Sequence, residues 1–374
     1  MVIIIKPTYG CNLGCRYCYL SSETKRFDFL DCDFAIQIIN QIKHFCENHH
    51  RQNMTIIWHG GEPLLWGIDN YKKVFSFMRK EFHDYPYRNS LQTNLTLLTQ
   101  EYIDLFNEYD VRLGFSLDGP QYIHDKQRVQ KNGQGSFSLV MNKLSLCKQN
   151  KLPIGCISVA TKNHIGHMQE FYDFMNQNKV DFKMNPLFIS GEAAKNENIL
   201  GLSVNEYAKL IIELFDLMFD DPNCQVSNSN FVEVASSLIT NKTAGCMLGE
   251  NCQGNFIAIS PKGDVFPCGR FCDNEYELFS YGNLHKVPLS ETMKKIYLSD
   301  SYRRFEYINK SECCKCEFFS ICHGGCLHDG YLKSGDFKHK TVLCPAYKQI
   351  FTHIKHKLYE YGMLPDINNA SNSK

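Results

Sequence analysis

The stretch YGCNLGCRYCYL, residues 9–20, holds three cysteines within eight positions, Cys11, Cys15 and Cys18, at the spacing C-x3-C-x2-C. Three thiolates on one loop can bind three irons of a cubane [4Fe–4S] cluster and leave the fourth iron without a protein ligand. The spacing alone leaves two alternatives open. One is a zinc site completed by a distant histidine such as His59, and the other is a set of ordinary core cysteines.

The composition is that of a large globular protein. Its 374 residues are 43% apolar, enough for a substantial core and two or three domains. Basic and acidic residues number 40 each, so no net charge attracts nucleic acid or an anionic membrane. The start, MVIIIKPTYG, lacks a basic region and a cleavage site, and no stretch approaches the ~20 apolar residues of a membrane span. We expect a cytoplasmic protein that binds neither nucleic acid nor membrane.

Cysteine is the unusual component, with 18 residues. In a chain without a secretion signal, cysteines at this density more often bind metal or act in redox chemistry than form disulfides. Three lie in the opening loop and ten lie between Cys246 and Cys344. We interpret Cys314 as a bystander and the five scattered ones as buried small residues: Cys32, Cys46, Cys147, Cys156 and Cys224.

Short β-rich apolar runs alternate with helical patterns. Residues 31–48, DCDFAIQIINQIKHFCEN, have helical spacing of apolar residues after a possible Asp31 cap. Strands that alternate with helices predict parallel βαβ units wound into a sheet or barrel, with function at the carboxyl ends of the strands. The opening cysteine loop follows the first strand and so lies at that end. The six predicted strands are within residues 2–8, 54–61, 90–94, 111–119, 154–160 and 181–187.

The opening loop resembles the radical S-adenosylmethionine (SAM) enzymes, whose motif is C-x3-C-x2-C with an aromatic residue before the last cysteine, here Tyr17. The resemblance implies an α/β fold, a partial (β/α)6 TIM-like barrel. It also implies that SAM chelates the open iron and is cleaved to a 5′-deoxyadenosyl radical that abstracts hydrogen from the substrate.

The sequence HGGEP, residues 59–63, resembles the GGE motif with which this family binds the SAM amino group. Gly60 and Gly61 would allow close backbone approach, and Glu62, followed by Pro63, would accept a hydrogen bond from the ammonium. The position of the motif, one strand and one helix after the cysteine loop, strengthens the resemblance.

Three later stretches also match strand ends in the family. QTN ends at Asn94, SLDGP begins at Ser116, and HDKQR ends at Arg128. The resemblance implies SAM contacts at these three residues, with Ser116 and Arg128 near the ribose and the carboxylate. The alternative for Asn94 and Asp118 is that they cap helices or shape turns.

The second cysteine-rich region resembles the SPASM domain of radical SAM enzymes that modify peptides and proteins. CCKCEFFSICHGGC, residues 313–326, gives C-x2-C-x5-C-x3-C, and residues 252–268 give C-x10-G-x4-C. The resemblance implies two auxiliary [4Fe–4S] clusters, and so three clusters in all. The first would be held by Cys246 or Cys252 with Cys268, Cys272 and Cys326, and the second by Cys313, Cys316, Cys322 and Cys344.

The choice between Cys246 and Cys252 stays open. The resemblance to sulfatase-maturing members favours Cys246, and the general spacing rule favours Cys252. No general base is nominated either. Asp264, Asp273 and Glu275 lie near proposed cluster ligands in sequence, but we interpret them as solvated surface carboxylates.

The resemblance divides the chain into four segments. We expect the radical SAM barrel over residues 1–200, a helical bridge over 201–244, the SPASM region over 245–350, and a C-terminal helix and polar tail over 351–374. Because the sequence begins at the first predicted barrel strand, we expect no counterpart of the winged-helix module that grips a leader peptide in many members. A leader would then dock on the barrel, on the bridge or on a separate leader-recognition protein.

The predicted function is that of a maturase which cross-links side chains of a ribosomally made precursor peptide, as cyclophane- and thioether-forming SPASM enzymes do. A flavodoxin or ferredoxin would donate electrons. Sulfatase-maturing members carry an aspartate that acts as a general base directly after the cysteine that corresponds to Cys268. In this sequence Gly269 follows Cys268. The alternatives are a formylglycine-forming sulfatase maturase, a peptide epimerase and, from another class, a non-catalytic zinc-binding interaction protein.

Overall fold

The computed structural model describes residues 1–23, 27–243, 245–272 and 276–364. Asp273, Glu275 and the polar tail from residue 365 onward lie outside the described residues. The chain forms two compact units. The first comprises Met1–Val159, Leu187–Gly201 and Gln253–Tyr302, and the second comprises Ala160–Pro186, Leu202–Cys252 and Arg303–Lys374.

All six predicted strands are present, and three more follow in the second half of the chain, counted over the residues that the structure describes. The nine strands are β1 Val2–Ile5, β2 Met54–Trp58, β3 Tyr87–Thr93, β4 Val111–Ser116, β5 Ile154–Ala160, β6 Phe182–Pro186, β7 Phe256–Ile259, β8 Asp264–Phe266 and β9 Gly282–Asn283.

Sixteen helices lie in the described part of the chain: α1 Cys32–Asn48, α2 Ile68–Glu81, α3 Gln100–Glu108, α4 Gln121–Gln127, α5 Phe137–Gln149, α6 Met168–Gln177, α7 Glu192–Lys195, α8 Glu197–Leu200, α9 Val204–Phe219, α10 Ser229–Thr240, α11 Tyr276–Phe279, α12 Leu289–Tyr297, α13 Asp300–Lys310, α14 Phe319–Cys322, α15 Leu327–Ser334 and α16 Cys344–Glu360. Short 3-10 turns occur at Pro63–Trp66, Lys162–His164 and Glu312–Lys315.

The first unit is built on a parallel sheet. Strands β1 to β5 pair in chain order, each parallel to the next, as the alternation of strands and helices predicts. On its other side β1 pairs in parallel with β7, with Val2 opposite Phe256 and Ile5 opposite Ile259. Strands β8 and β9 extend this side in antiparallel order. The region that resembles SPASM thus contributes a strand to the sheet of the region that resembles the radical SAM barrel.

Helix α1 confirms its predicted bounds and cap. The Asp31 carboxylate accepts the Phe34 backbone N–H at 2.8 Å, which satisfies one of the free donors of the first turn. The apolar residues Ile38, Ile42 and Phe45 recur at helical spacing and are buried. This cap and this apolar face explain why the helix begins and packs where it does.

An aromatic cluster fills the core beside β2. The Trp58 and Trp66 rings stack at 5.4 Å, and Tyr71 meets Trp58 edge-on at 5.6 Å. Their polar ends are satisfied, since Trp58 Nε1 donates to Asn89 Oδ1 at 2.9 Å and Trp66 Nε1 donates to the Leu30 carbonyl at 2.7 Å. The cluster fixes β2 and the turn that follows it.

In the second unit, helices α9 and α16 pack against each other. His353 Nε2 lies 2.6 Å from Asp216 Oδ1, and Lys357 Nζ lies 2.7 Å from Asp220 Oδ2. Over the residues that the structure describes, none of the helices combines the length and the apolar character needed to span a bilayer.

Candidate active site and cysteine clusters

The three-cysteine loop is fastened to the segment that follows α4. The Gly14 N–H donates to the Val129 carbonyl and the Arg16 N–H donates to the Gln127 carbonyl, both at 2.8 Å. These bonds hold Cys11, Cys15 and Cys18, each partly exposed, at the carboxyl end of β1.

The thiols of this loop act on one another. The pKa of the Cys11 thiol is raised to about 12, first by burial and then by the neighbouring Cys15, Glu62 and Cys18, while the Leu13 N–H opposes the shift. Three thiolates this close repel one another unless a cation binds them. The donor set therefore fits the three protein corners of an iron–sulfur cluster.

The two glycines of HGGEP permit the close approach of this loop to the end of β2. A Cβ on Gly61 would overlap the carbonyl oxygen of Gly10, and a Cβ on Gly60, whose φ is +146°, would overlap that of Thr8. The Gly61 N–H donates to the Thr8 carbonyl at 3.0 Å. Only glycine fits at this contact.

Glu62 is fully buried and ties β2 to β3. Its carboxylate accepts the Thr93 hydroxyl at 2.6 Å, the Asn94 N–H at 2.7 Å and the Leu64 N–H at 3.0 Å. Burial raises the pKa of Glu62, and these hydrogen bonds oppose that shift. A carboxylate has about four acceptor positions, so about one is left for a ligand. Pro63, which is buried, begins the 3-10 turn that Glu62 caps.

Asn94 shapes a turn, as one of its two expected roles requires, and it also lies beside the cysteine loop. Its side-chain oxygen accepts the Thr96 N–H at 3.0 Å, which shapes the turn after β3. Its Nδ2 donates to Asn12 Oδ1 at 2.8 Å and lies 3.8 Å from Cys11 Sγ. Asn94 therefore both shapes a turn and contacts the cysteine loop.

Tyr17, Asp118 and Arg128 form a buried network across 111 residues of sequence. The Tyr17 hydroxyl donates to Asp118 Oδ2 at 2.6 Å and accepts from Arg128 Nη1 at 2.6 Å. Asp118 Oδ1 accepts the Val159 N–H at 2.9 Å, so Asp118 links strand ends rather than capping α4, whose N-cap is Pro120.

Arg128 has a buried donor that could bind a ligand from outside the protein chain. Burial lowers the pKa of its guanidinium, but Cys15, Tyr17 and Asp118 outweigh that effect and hold the pKa above its usual value. Its Nε–H is buried and has no hydrogen-bond partner among the described residues. A buried cation with a spare donor is suited to an anionic group such as a carboxylate. Ser116 is half-buried at the end of β4, and its hydroxyl accepts a hydrogen bond from Gln92 Nε2 at 3.4 Å.

The SPASM cysteines of the first unit lie beside residues of the first strand and loop. Cys272 is buried, and its Sγ is 3.1 Å from the Tyr9 hydroxyl, which also donates to the Cys272 carbonyl at 2.5 Å. The carbonyl of Gly269, next to Cys268, accepts the Lys6 ammonium at 3.1 Å.

Sequence reasoning missed Lys6 and Tyr9. The available signal was a lysine that continues an apolar strand run, which predicts a buried cation. Asp264 is also corrected. It is half-buried, and its carboxylate accepts Asn283 Nδ2 at 2.8 Å, so it links β8 to β9 and is not simply a solvated carboxylate.

Four cysteines of the second unit line one cavity: Cys313, Cys316, Cys322 and Cys344. The pKa of the Cys322 thiol is raised to about 12, first by burial and also by the other three thiols, while the Gly324 backbone N–H opposes the shift. The same four positions are those expected for the second auxiliary cluster. The donor set and the shared cavity fit that group.

A buried cation also lies among cysteines of the second unit. Burial lowers the pKa of the Arg304 guanidinium, and the thiols of Cys326 and Cys252 oppose that shift. Its Nη2 donates to the Gly324 carbonyl at 3.0 Å. Cys246 is exposed and Cys252 is half-buried.

The remaining cysteines match their interpretation in part. Cys46, Cys147 and Cys156 are buried, whereas Cys32 and Cys224 are half-buried. Cys314 is exposed. Within the described ranges, no group of three or more His, Cys, Asp or Glu side chains is arranged so that it could hold a single metal ion.

Family models match both halves of this arrangement. Residues 5–175 match the radical SAM superfamily, and residues 246–318 match SPASM, an iron-sulfur cluster-binding domain. The chain carries a radical SAM domain followed by a SPASM domain. These domains imply SAM and [4Fe–4S] clusters as cofactors, with auxiliary clusters in the SPASM domain.

Relatives of this radical SAM/SPASM chain match over nearly its whole length. A cysteine-type anaerobic sulfatase-maturating enzyme of Clostridium perfringens is 27% identical, covering 100% of this chain and 99% of the relative. Native anSMEcpe solved with bound AdoMet and Cp18Cys peptide has a TM-score of 0.83 at 24% identity, covering 96% and 98%. Streptococcus suis SuiB bound to precursor peptide SuiA has a TM-score of 0.63 at 17% identity, covering 92% and 75%. The structural likenesses show the fold.

Proposed function

We propose that this radical SAM/SPASM chain is a maturase that forms a cross-link, of the cyclophane or thioether type, within a ribosomally made precursor peptide. The observation that carries the proposal is Gly269 directly after Cys268, in a chain with these two domains. The solved structures of anSMEcpe with Cp18Cys peptide and of SuiB with SuiA support a peptide as the substrate class.

The proposed SAM site lies at the carboxyl ends of β1 to β4. When bound, SAM and the reduced cluster supply a radical that removes a hydrogen atom from the substrate. Glu62 would accept from the SAM amino group, and the Arg128 Nε–H would donate to its carboxylate. The cluster ligands would be Cys11, Cys15 and Cys18, and the site would be completed by Tyr17, Gly60, Gly61, Pro63, Asn94 and Ser116.

The proposed auxiliary sites use the remaining cysteine-rich region. The cavity of the second unit supports Cys313, Cys316, Cys322 and Cys344 as one ligand set. The other set would be Cys268, Cys272 and Cys326 with Cys246 or Cys252.

Cross-link formation releases one electron, and the proposed cluster sites can accept it. Joining a carbon to a second substrate atom breaks one C–H bond and one further bond to hydrogen. One hydrogen leaves as an atom, and the other leaves as a proton plus an electron. The auxiliary clusters supply an acceptor for that electron, and a flavodoxin or ferredoxin would supply the electron that reduces the SAM-binding cluster.

Gly269 separates this proposal from formylglycine formation. By the resemblance, sulfatase maturases carry at this position an aspartate that acts as a general base. Glycine has no side chain and offers only its backbone. Here its carbonyl oxygen accepts the Lys6 ammonium. The position therefore offers a backbone carbonyl that is bound by a buried lysine, and it has no carboxylate that could act as a base.

The test is anaerobic co-expression with a short peptide encoded beside the gene, followed by mass and fragmentation analysis of the peptide. A cross-link predicts the loss of two hydrogens and no fragmentation between the joined residues. The control is the variant Cys15→Ala, which should leave the peptide unchanged. A peptide of unchanged mass, made with an enzyme that cleaves SAM, contradicts the cross-link.

Formylglycine formation is the second candidate, because the Clostridium perfringens relative matches along the whole chain. The test is to incubate the purified protein with a sulfatase-derived peptide and then with an aldehyde-reactive hydrazide. A labelled peptide supports this candidate. A cross-linked precursor carries no aldehyde and stays unlabelled, so the two functions are separable.

The substrate would need a means of reaching the site. A leader segment of the precursor would dock on this chain or on a separate leader-recognition protein. Mixing the purified protein with leader peptide alone, and measuring binding by calorimetry, distinguishes the two routes. Binding without any other protein favours docking on this chain.

A further inference from the structure

Lys6 is a buried cation at the end of β1. It is 1% exposed, and its ammonium donates to the Gly269 carbonyl at 3.1 Å. The ammonium also lies 5.5 Å from the centre of the Tyr9 ring and 5.6 Å from that of Tyr19, within the range of cation–π attraction. A lysine is seldom buried to this extent unless its ammonium has partners.

The groups that face Lys6 belong to two cysteine sites. Burial lowers its pKa to about 8, and the thiols of Cys272, Cys268 and Cys18 oppose that shift. Cys18 is in the loop proposed to bind the SAM-binding cluster. Cys268 and Cys272 are proposed ligands of the first auxiliary cluster, and the following argument rests on those proposed roles.

Tyr9 strengthens the link between the two sites. It belongs to the cysteine loop, yet its hydroxyl contacts both the carbonyl and the Sγ of Cys272. The segment that runs from the end of β1 into the loop is therefore attached to the SPASM segment by two independent contacts, one through Lys6 and one through Tyr9. These contacts hold the Lys6 ammonium beside the segment that carries Cys268 and Cys272.

We propose that Lys6 is a positioning residue that raises the reduction potential of the cluster bound by Cys268 and Cys272. Adding one electron to a [4Fe–4S] cluster makes its environment more negative. A fixed positive charge nearby stabilises that reduced state more than the oxidised state, and charge is among the factors that set cluster potentials. Lys6 would thus favour electron transfer into the auxiliary cluster.

The test is a redox titration of the full chain with all clusters reconstituted, followed by EPR, for wild type and Lys6→Met. Methionine keeps the length of the side chain and removes the charge. We expect the reduction of one auxiliary cluster to become at least tenfold less favourable, which is a decrease of about 59 mV for a one-electron couple. Lys72→Met, which removes an exposed lysine of the same unit, should leave the potential unchanged.

Two further variants make the result decisive. Lys6→Arg keeps the charge and should keep the potential near that of wild type, a result that a merely structural role would not produce. Lys6→Gln is titrated as a second neutral variant, so that the conclusion stands if Lys6→Met binds less iron. An unchanged potential in a neutral variant with full iron content overturns the proposal.

The ligand assignment is tested separately. Cys268→Ala with Cys272→Ala should remove the iron of one cluster and the EPR signal that Lys6→Met shifts. If iron content is unchanged, the proposed ligand roles fail. If one cluster is lost but its potential is insensitive to Lys6, only the role of Lys6 fails.

Discussion

At the scale of single residues, the site is organised by side chains that satisfy one another before any ligand binds. The Tyr17 hydroxyl is both donor to Asp118 and acceptor from Arg128. Each of the three side chains is buried, so the loss of one leaves polar groups without partners. Residue-level predictions therefore concern which side chains can be changed without such a loss.

Tyr17→Phe should destabilise the first unit and weaken SAM binding. The variant leaves a carboxylate and a guanidinium with one fewer hydrogen bond each, at a cost of about 1–3 kcal/mol in unfolding free energy. Urea denaturation and SAM binding by calorimetry measure the two effects. Tyr122→Phe, at a tyrosine 43% exposed, is the matched control. Equal stability of both variants would contradict the role of the network.

Cys313 and Cys314 offer a test within two adjacent residues. Cys313 lines the four-cysteine cavity, whereas Cys314 is exposed. Cys313→Ser should lower the iron and sulfide content by one cluster, because serine replaces one of its ligands. Cys314→Ser should retain the full content. Iron and sulfide analysis of anaerobically purified protein decides, and equal loss in both variants would reject the assignment.

At the scale of elements, the approach of the cysteine loop to the end of β2 is the tightest requirement. The Gly61 N–H and the Glu62 N–H both donate to carbonyls of the loop, at 3.0 and 2.8 Å. This contact brings Glu62 beside the cysteines and sets the width of the proposed SAM site.

Gly61→Ala should therefore disrupt the site. Its Cβ would overlap the carbonyl oxygens of Gly10 and Tyr9, and we expect a loss of about 3–5 kcal/mol in unfolding free energy together with loss of iron from the loop. Gly155→Ala in β5 is the control, since a Cβ there has no heavy atom within 4 Å. Thermal unfolding and iron content give the comparison. A stable, iron-loaded Gly61→Ala protein would show that the loops can separate.

Local patterns account for what the sequence predicted at this scale. Short β-rich apolar runs located the six strands, and Asp31 with the helical apolar face that follows it located α1. Contacts between distant residues were not predictable in the same way. The bond from Tyr17 to Asp118 spans 101 residues, and that from Lys6 to Gly269 spans 263. The local pattern of apolar residues carries no information about such distant pairs. The ligand roles of the cysteines were predicted from a family resemblance.

At the scale of the whole molecule, the two domains recognised in sequence do not correspond to two separate sheets. Strand β7, within the residues that match SPASM, pairs with β1 over four residue pairs. Ile257 and Ile259 of β7 are fully buried, as are Ile3 and Ile5 of β1. The radical SAM sheet thus depends on residues beyond its own match.

Two shortened chains test this dependence. A chain that ends at residue 302 keeps β7, β8 and β9, and we expect its parallel sheet to unfold cooperatively. A chain that ends at residue 252 lacks them and leaves one edge of β1 unpaired, so it should aggregate or unfold without cooperativity. Circular dichroism and size-exclusion chromatography compare the two. Equal cooperativity would show that β7 is dispensable.

The pairing of β1 with β7 also has a consequence for synthesis on the ribosome. The opening strand emerges first, but its neighbour on one side begins at Phe256. At about 5–20 residues per second, that neighbour follows on the order of tens of seconds later. Through this interval the apolar edge of the nascent chain has no native cover on that side. We therefore expect the yield of native protein to rise when ribosome-associated chaperones are abundant, or when the segment between β1 and β7 is translated quickly.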